Sequence, residues 1–204
     1  MDLFKYLGKL FEKKPGKRPY KRVVAVFIDN HNVENAELDN GVRYLVKWAT
    51  LISDIKRRYL GSNAPIWASA YTREHGSEEV VERWKESALK YWANHGYQLH
   101  TYRKKDIDSL IVGDLWRSAA LAAEANATDL HLVLVSGDGL FADTVKKIRE
   151  QYQDRLRIKL NVYSWMPSLS WKLKAEARKG GVHDLTSLKN LVAKKTRVSN
   201  RRAS

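Results

Sequence analysis

The chain has 204 residues, 44% of them hydrophobic, which is ordinary for one domain with a single packed core. Its 37 Lys and Arg exceed its 23 Asp and Glu, and the formal charge of +14 predicts a polyanionic partner such as nucleic acid. Cysteine is absent, which excludes disulfides, thiolate metal sites and cysteine nucleophiles. No stretch has the length of a spanning helix or the core of a signal peptide, so we expect a soluble, cytoplasmic protein.

The N-terminal segment predicts a short amphipathic helix over residues 1–14. Apolar residues recur there at helical spacing among lysines, namely Leu3, Phe4, Leu7, Leu10 and Phe11. The run Pro-Gly-Lys-Arg-Pro at 15–19 ends this helix, so residues 1–20 form a helix and a basic linker. We expect the helix to pack against its own domain, with a protein partner or an anionic membrane surface as the alternatives.

Predicted strands and helices alternate along the middle of the chain. The strands cover 23–28, 66–71, 97–102, 130–135 and 158–163, and the helices between them cover 42–60, 78–94, 108–124 and 140–152. This alternation is typical of an α/β fold, a three-layer αβα sandwich around a mainly parallel sheet, here over residues 21–192. Segments 169–178 and 184–195 are expected to be helical, and residues 193–204 to form a basic, disordered tail.

Three aspartates stand at the edges of these predicted elements. Asp29 ends the first apolar strand, Asp108 begins a helix, and Asp138 follows the apolar run that ends at Val135. Because parallel strands align their C-terminal ends along one rim, we expect the three carboxylates to converge there. Hard oxygen ligands suit Mg²⁺ or Mn²⁺ better than zinc. Taken singly, each Asp is more commonly a helix cap or a turn residue, so the prediction depends on their sharing one rim.

Other acids near these positions have weaker claims. Asp143 falls in the first turn of the helix after Asp138, where it is a supporting metal ligand or simply a charge stabilised by the helix dipole. Asp114 lies six residues beyond Asp108 and on a different helix face, which places it on the helix surface or behind the site. Asp106 is expected to be a solvated loop acid, and His31 an exposed loop residue.

Three ordered motifs resemble the NYN domain proteins of the PIN-like ribonuclease superfamily. Residues 27–32, Phe-Ile-Asp-Asn-His-Asn, resemble that family's opening strand and Asn-bearing loop. Residues 105–114 are similar to its segment of lysine, acid and helix, and residues 134–141 to its third motif, so the resemblance covers about 22–165. Two features depart from the family: Leu140 stands where the third motif usually has a second acid, and the Trp- and Lys-rich stretch around 73–95 resembles an insertion.

The resemblance implies a metal-dependent ribonuclease. Asp29, Asp108 and Asp138 would be catalytic and would hold one or two Mg²⁺ or Mn²⁺ ions with Asp143, activating a water to hydrolyse the phosphodiester. Asn32 and Ser136 would orient Asp29 or contact the phosphate, or else hydrogen-bond the backbone of their turns, and Asp114 would be a further supporting acid. Because of Leu140, the alternative is a catalytically weak or inactive RNA-binding module or adaptor on the same fold. A haloacid-dehalogenase phosphatase is disfavoured because residue 31 is not the required second Asp, and no Gly-rich nucleotide-binding motif follows the first strand.

A phosphate backbone needs cations beside an acidic pocket. The expected nucleic-acid-binding residues flank the predicted rim: Arg103, Lys104, Lys105, Lys146 and Lys147, with Arg149 on the same helix. Further cations lie at Lys172, Lys174, Arg178 and Lys179, and Trp165 or Trp171 is available to stack a base, although core packing is the default for a Trp. RNA is the expected substrate and DNA the alternative; the sequence does not decide between endonuclease and exonuclease or the oligomeric state.

Overall fold

A computed structural model describes residues 21–34, 43–59, 66–103, 106–186 and 192–195. The predicted N-terminal helix, Lys104, Lys105 and residues 196–204 of the predicted tail lie outside these described residues. No helix in the described part of the chain is long and apolar enough to cross a membrane.

The centre of the fold is a six-stranded sheet whose paired strands are all parallel. The strands are β1 (Arg22–Asp29), β3 (Ile66–Arg73), β4 (Gln98–Tyr102), β5 (Asp129–Val135), β6 (Arg157–Ser164) and β7 (Val182–Asp184); β2 (Arg43–Val46) belongs to a separate pair of strands. Their order across the sheet is β4-β3-β1-β5-β6-β7. The predicted α/β sandwich around a parallel sheet is confirmed.

Helices connect these strands and cover both faces of the sheet. They are α1 (Asn30–Glu34), α2 (Trp48–Tyr59), α3 (Glu78–Asn94), α4 (Ile107–Glu124), α5 (Leu140–Tyr152) and α6 (Trp171–Ala177), with one 3₁₀ turn at Met166–Ser168. Asp106 begins α4, because its side chain accepts hydrogen bonds from Asp108 N at 3.1 Å and from Ser109 Oγ at 2.8 Å. Asp106 is therefore a helix cap as well as the exposed acid that the sequence predicts.

Two cores lie on opposite faces of the sheet. Phe27 and Leu132 face α4, α5 and α6, together with Ile111 and Phe141 from those helices. Val26 and Val133 face α2 and α3. Since β1 and β5 are buried on both faces, nearly every position in them is apolar, which is why they read as continuous hydrophobic runs.

The prediction fails where a short strand depends on a distant partner. The predicted helix 42–60 begins as strand β2 (Arg43–Val46), which pairs antiparallel with β8 (Val192–Lys195). The predicted helix 184–195 is wrong, because β7 ends at its start and β8 occupies its end. Residues 193–195 of the predicted disordered tail also belong to β8. β2 and β8 form their hydrogen bonds with each other, although they are far apart in the sequence. The spacing of apolar residues within either segment therefore does not predict that pairing.

The sheet has a topological switch point between β1 and β5. The chain leaves β1 toward β3 and β4 on one side, and it leaves β5 toward β6 and β7 on the other. Helical connections diverge at such a point and open a crevice beyond the C-terminal ends of the two strands, where ligands of open α/β sheets bind. The residues that end β1 and follow β5 therefore line the expected site.

Candidate active site at the topological switch point

Asp29 is the last residue of β1 and is 5% exposed. Its Oδ1 accepts a hydrogen bond from Asn32 N at 3.1 Å, and its Oδ2 accepts one from Ser136 Oγ at 3.2 Å. Burial raises the pKa of Asp29, and the nearby charge of Asp138 raises it further, while the two hydrogen bonds act in the opposite direction. The strand thus ends in a poorly hydrated carboxylate that fixed donors hold in place.

Ser136 links Asp29 to the loop that carries Asp138. While its hydroxyl donates to Asp29, its oxygen also accepts a hydrogen bond from Asp138 N at 3.2 Å. Asp138 in turn uses Oδ1 to accept a hydrogen bond from Leu140 N at 2.9 Å, at the first residue of α5. Asp138 therefore shapes this turn with one oxygen, and its second oxygen is left for other contacts.

Asp108 supplies the third carboxylate from the first turn of α4. Partial burial raises its pKa, and the charges of Asp29, Asp138 and Asp106 raise it further, in that order. Such interactions require the groups to be close. The three acids that the sequence singled out thus lie close enough to interact: the charges of Asp29 and Asp138 raise the pKa of Asp108, and the charge of Asp138 raises that of Asp29.

Asn32 closes the crevice from the β1 side. Its Oδ1 accepts a hydrogen bond from Gly137 N at 2.8 Å, so the α1 turn is tied directly to the loop after β5. Together with Ser136, it fastens the ends of the two central strands to each other. Asn32 and Ser136, two of the three side chains predicted to support the acids, are therefore held against Asp29 or against the loop that carries Asp138.

Asp114 does not lie on the helix surface, which corrects one of the two predicted locations. It is buried in α4, and its carboxylate accepts hydrogen bonds from Tyr71 OH at 2.6 Å and from Arg117 Nη1 at 2.7 Å. Tyr71 is the residue of β3 that pairs with Asp29 in β1. Asp114 thus braces the strand beside the acids. Asp143 is exposed in the first turn of α5, and its role as a metal ligand stays a prediction.

Arg73 is a site residue that the sequence reasoning missed. It ends β3, and its positive charge lowers the pKa of both Asp29 and Asp108, against the effects that raise them. His31 and His75 lie beside it with ring centroids 6.0 Å apart. Burial, followed by the charges of Arg73 and His75, lowers the pKa of His31. The pairing of β1 with β3 points to Arg73, because Tyr71 pairs with Asp29 and Arg73 lies two residues beyond Tyr71.

The predicted cations differ in their exposure and in their ion pairs. Lys146 and Lys147 are exposed on α5, and Arg103 follows β4 in a loose ion pair with Glu74 at 3.7 Å. Arg149 instead has a structural role, since its guanidinium binds the carbonyl oxygen of Ile158 at 3.1 Å and pairs with Glu176. It is therefore removed from the predicted path.

The donor set at the rim suits a hard divalent cation. In the described ranges, no group of three or more His, Asp or Glu side chains is arranged so that it could hold a metal ion. Mg²⁺, however, is usually bound by one or two carboxylates and takes its remaining oxygens from water and substrate phosphates. Asp29, Asp108 and Asp138 fit that mode by their oxygen chemistry, and a cation would compensate the burial and the neighbouring negative charges that raise the pKa of Asp29 and Asp108.

Comparison with known proteins agrees with this geometry. The family model of the NYN domain matches residues 23–179. No curated protein matches the chain. Among solved structures, a protein of unknown function from Vibrio parahaemolyticus RIMD 2210633 is similar with a TM-score of 0.58 and 18% identity, over 87% of this chain and 99% of that chain. At this level of identity the likeness shows a shared fold.

Proposed function

Because the chain belongs to the NYN domain family of the PIN-like nuclease superfamily, we propose that it is a metal-dependent ribonuclease that acts through Asp29, Asp108 and Asp138. The observation that carries this proposal is the position of these acids at the switch point, where burial, followed by the charges of neighbouring acids, raises the pKa of Asp29 and Asp108. Carboxylates whose pKa is higher in the folded than in the unfolded protein destabilise the folded state at neutral pH, so bringing them together does not stabilise the fold. Such an arrangement is typical of a functional site.

In this mechanism Asp29, Asp108 and Asp138 would hold Mg²⁺ or Mn²⁺ when the substrate is bound. The ion would lower the pKa of a bound water and neutralise charge that develops on the phosphate. Ser136 and the backbone of Asn32 hold the Asp29 carboxylate in one orientation, so that little reorganisation is needed during the reaction. Because the protein alone offers few ligands, we expect metal affinity to be weak without nucleic acid and stronger with it.

Arg73 makes the acidic site accessible to a polyanion. Three carboxylates repel a phosphate backbone unless cations offset them. The exposed guanidinium of Arg73 lies close enough to lower the pKa of two of these acids, so it can pair with a phosphate oxygen beside the metal. Lys146, Lys147 and Arg103 would extend this path, and the family supplies the expectation of RNA over DNA.

The second candidate function is an RNA-binding module or adaptor without turnover. Two observations favour it. Residue 140 is a half-exposed Leu where the family usually has a second acid, and the described residues contain no group of three or more His, Asp or Glu side chains that could hold a metal ion. In that case the basic surface would be retained for binding, and the three remaining acids would hold metal too weakly for hydrolysis.

Cleavage of end-labelled single-stranded RNA in Mn²⁺, Mg²⁺ or EDTA separates the two candidates. We expect metal-dependent cleavage by the wild type that is lost in Asp29→Asn and in Asp138→Asn. Asp154→Asn is the matched control, because Asp154 is an exposed acid that follows α5, away from the rim.

Tight RNA binding without cleavage under any metal would favour the binding module, and cleavage that persists in Asp29→Asn would refute the assigned site. A DNA strand of the same sequence tests the choice of sugar.

A further inference from the structure

Exposed apolar side chains lie on the side of the acids formed by β5 and β6. Trp171 is 75% exposed, Leu140 is 50% exposed and Met166 is 36% exposed. We call these three residues the apolar ledge. Large apolar side chains left in water beside a polar crevice commonly mark a place where a ligand binds.

The ledge is held against the loop that carries Asp138. Ser170 N donates a hydrogen bond to Gly137 O at 2.9 Å. A Cβ atom added at Gly139 would lie 2.3 Å from Ser170 Oγ, so the two segments touch with no room for a side chain. Trp171 follows Ser170, and Leu140 follows Gly139. The ledge and Asp138 are therefore neighbours through packed backbone.

Packing does not account for the position of Trp171. Helix α6 is anchored by Leu173 and Ala177, which are buried, while the indole of its first residue stays in solvent. Trp165 shows the opposite behaviour: it is 1% exposed, and its Nε1 donates to Val33 O at 2.8 Å. Of the two tryptophans that the sequence offered for base stacking, Trp165 is thus a core residue and only Trp171 is accessible.

The charge around the ledge identifies the kind of ligand. Exposed cations follow Trp171 along and just beyond α6, namely Lys172, Lys174, Arg178 and Lys179. The acid of this segment, Glu176, is paired with Arg149. An aromatic side chain among unneutralised cations is suited to a nucleic acid, because the ring stacks on a base while the cations follow the phosphates.

We propose that Trp171, with Leu140 beside it, stacks an unpaired base of a single-stranded nucleic acid next to the phosphate at the acids. This proposal rests on the proposed function and specifies its substrate class. A base inside a duplex is already stacked and presents no free face, so the ledge favours single strands over duplexes. Leu140, which replaces an acid of the family motif, then contributes an apolar contact to the base.

Equilibrium binding in EDTA tests the ledge without depending on cleavage. Fluorescence anisotropy would compare a labelled single-stranded RNA of about twelve nucleotides with its duplex, a length within the usual range of single-strand sites. The variants are Trp171→Ala, Trp171→Phe and the matched control Trp84→Ala. Trp84 is also an exposed Trp on a helix, but α3 packs against β4 at the far edge of the sheet. Melting temperatures confirm that each variant is folded.

We expect Trp171→Ala to weaken single-strand binding by about tenfold or more, as for the loss of one base–aromatic stack. Duplex binding should hardly change, Trp171→Phe should retain most of the affinity, and Trp84→Ala should resemble the wild type. Unchanged single-strand affinity in Trp171→Ala, or an equal loss for the duplex, would overturn the stacking role while leaving the nuclease proposal intact. A wild type that binds neither RNA in EDTA would overturn the ledge, and the metal-dependent cleavage assay then decides the nuclease proposal by itself; selective loss for single strands in Trp171→Ala supports the ledge.

Discussion

The replacement Gly137→Ala tests the close packing between the Asp138 loop and the segment before α6. A Cβ atom at this position would lie 2.4 Å from Ser168 O and 2.9 Å from Ser164 Oγ. The first contact is with backbone, which cannot rotate away, so the two segments must separate by several tenths of an ångström. Overpacking of this kind costs about 1–3 kcal/mol. For a chain of this size, that lowers the melting temperature by about 2–12 °C.

Gly113→Ala is the matched control, because the same methyl group there meets nothing within 4 Å. Gly113 lies inside α4, where Ala is favoured over Gly by about 0.8–1 kcal/mol, so this variant should melt a few degrees above the wild type. Thermal unfolding of the three proteins, followed by circular dichroism at pH 7, gives opposite signs for the two substitutions. If Gly137→Ala melted at or above the wild-type temperature, the proposed contact between these segments would be refuted.

Two further predictions concern the charges of the site. In the absence of metal, Asp29→Asn should stabilise the protein at pH 7 by about 0.5–2 kcal/mol, because an amide carries no buried charge: its oxygen still accepts from Asn32 N, and its NH2 group donates to Ser136 Oγ, which in the wild type donates to Asp29 Oδ2. Burial raises the pKa of Asp29 above 3.8, so this gain in stability should shrink as pH falls through the raised pKa and vanish where the wild-type carboxyl is itself protonated. Urea unfolding from pH 7 to 4 measures the difference in stability between the two proteins. An Asp29→Asn variant that is less stable than the wild type at every pH would contradict this prediction. For Arg73→Ala, the slope of log Kd for single-stranded RNA plotted against the logarithm of the salt concentration should fall by about 0.7, as expected for the loss of one phosphate contact. The control Arg155→Ala, at an exposed turn after α5, should leave this slope unchanged. Equal slopes for Arg73→Ala and the wild type would remove Arg73 from the phosphate path.

The sequence was sufficient for features whose signal is local. The runs that became β1 and β5 are apolar on both faces, and the helical periodicity over 78–94 and 140–152 matches α3 and α5. The convergence of Asp29 and Asp138 followed from the rule that parallel strands share a rim. Three carboxylates could therefore be assigned to one place before any coordinates were known, although their catalytic role stays a prediction.

Features fixed by distant parts of the chain could not be predicted in this way. The β2 strand forms because β8 offers it a ladder, and the segment from 43 to 46 carries no sign of that partner. Asp114 was compared with Asp108, yet its burial follows from the face it shares with Ile111 and Leu115, and its partner Tyr71 comes from another strand. Trp165 and Trp171 look alike in sequence, and tertiary packing alone separates the core residue from the exposed one.

Anomalous diffraction from Mn²⁺ in crystals of the protein with a non-cleavable RNA analogue would locate the metal directly. We expect an anomalous peak at about 2.1 Å from carboxylate oxygens of Asp29, Asp108 or Asp138, with a phosphate oxygen of the RNA completing its shell. RNA bound at the rim at saturating Mn²⁺, with no peak beside these carboxylates, would contradict it.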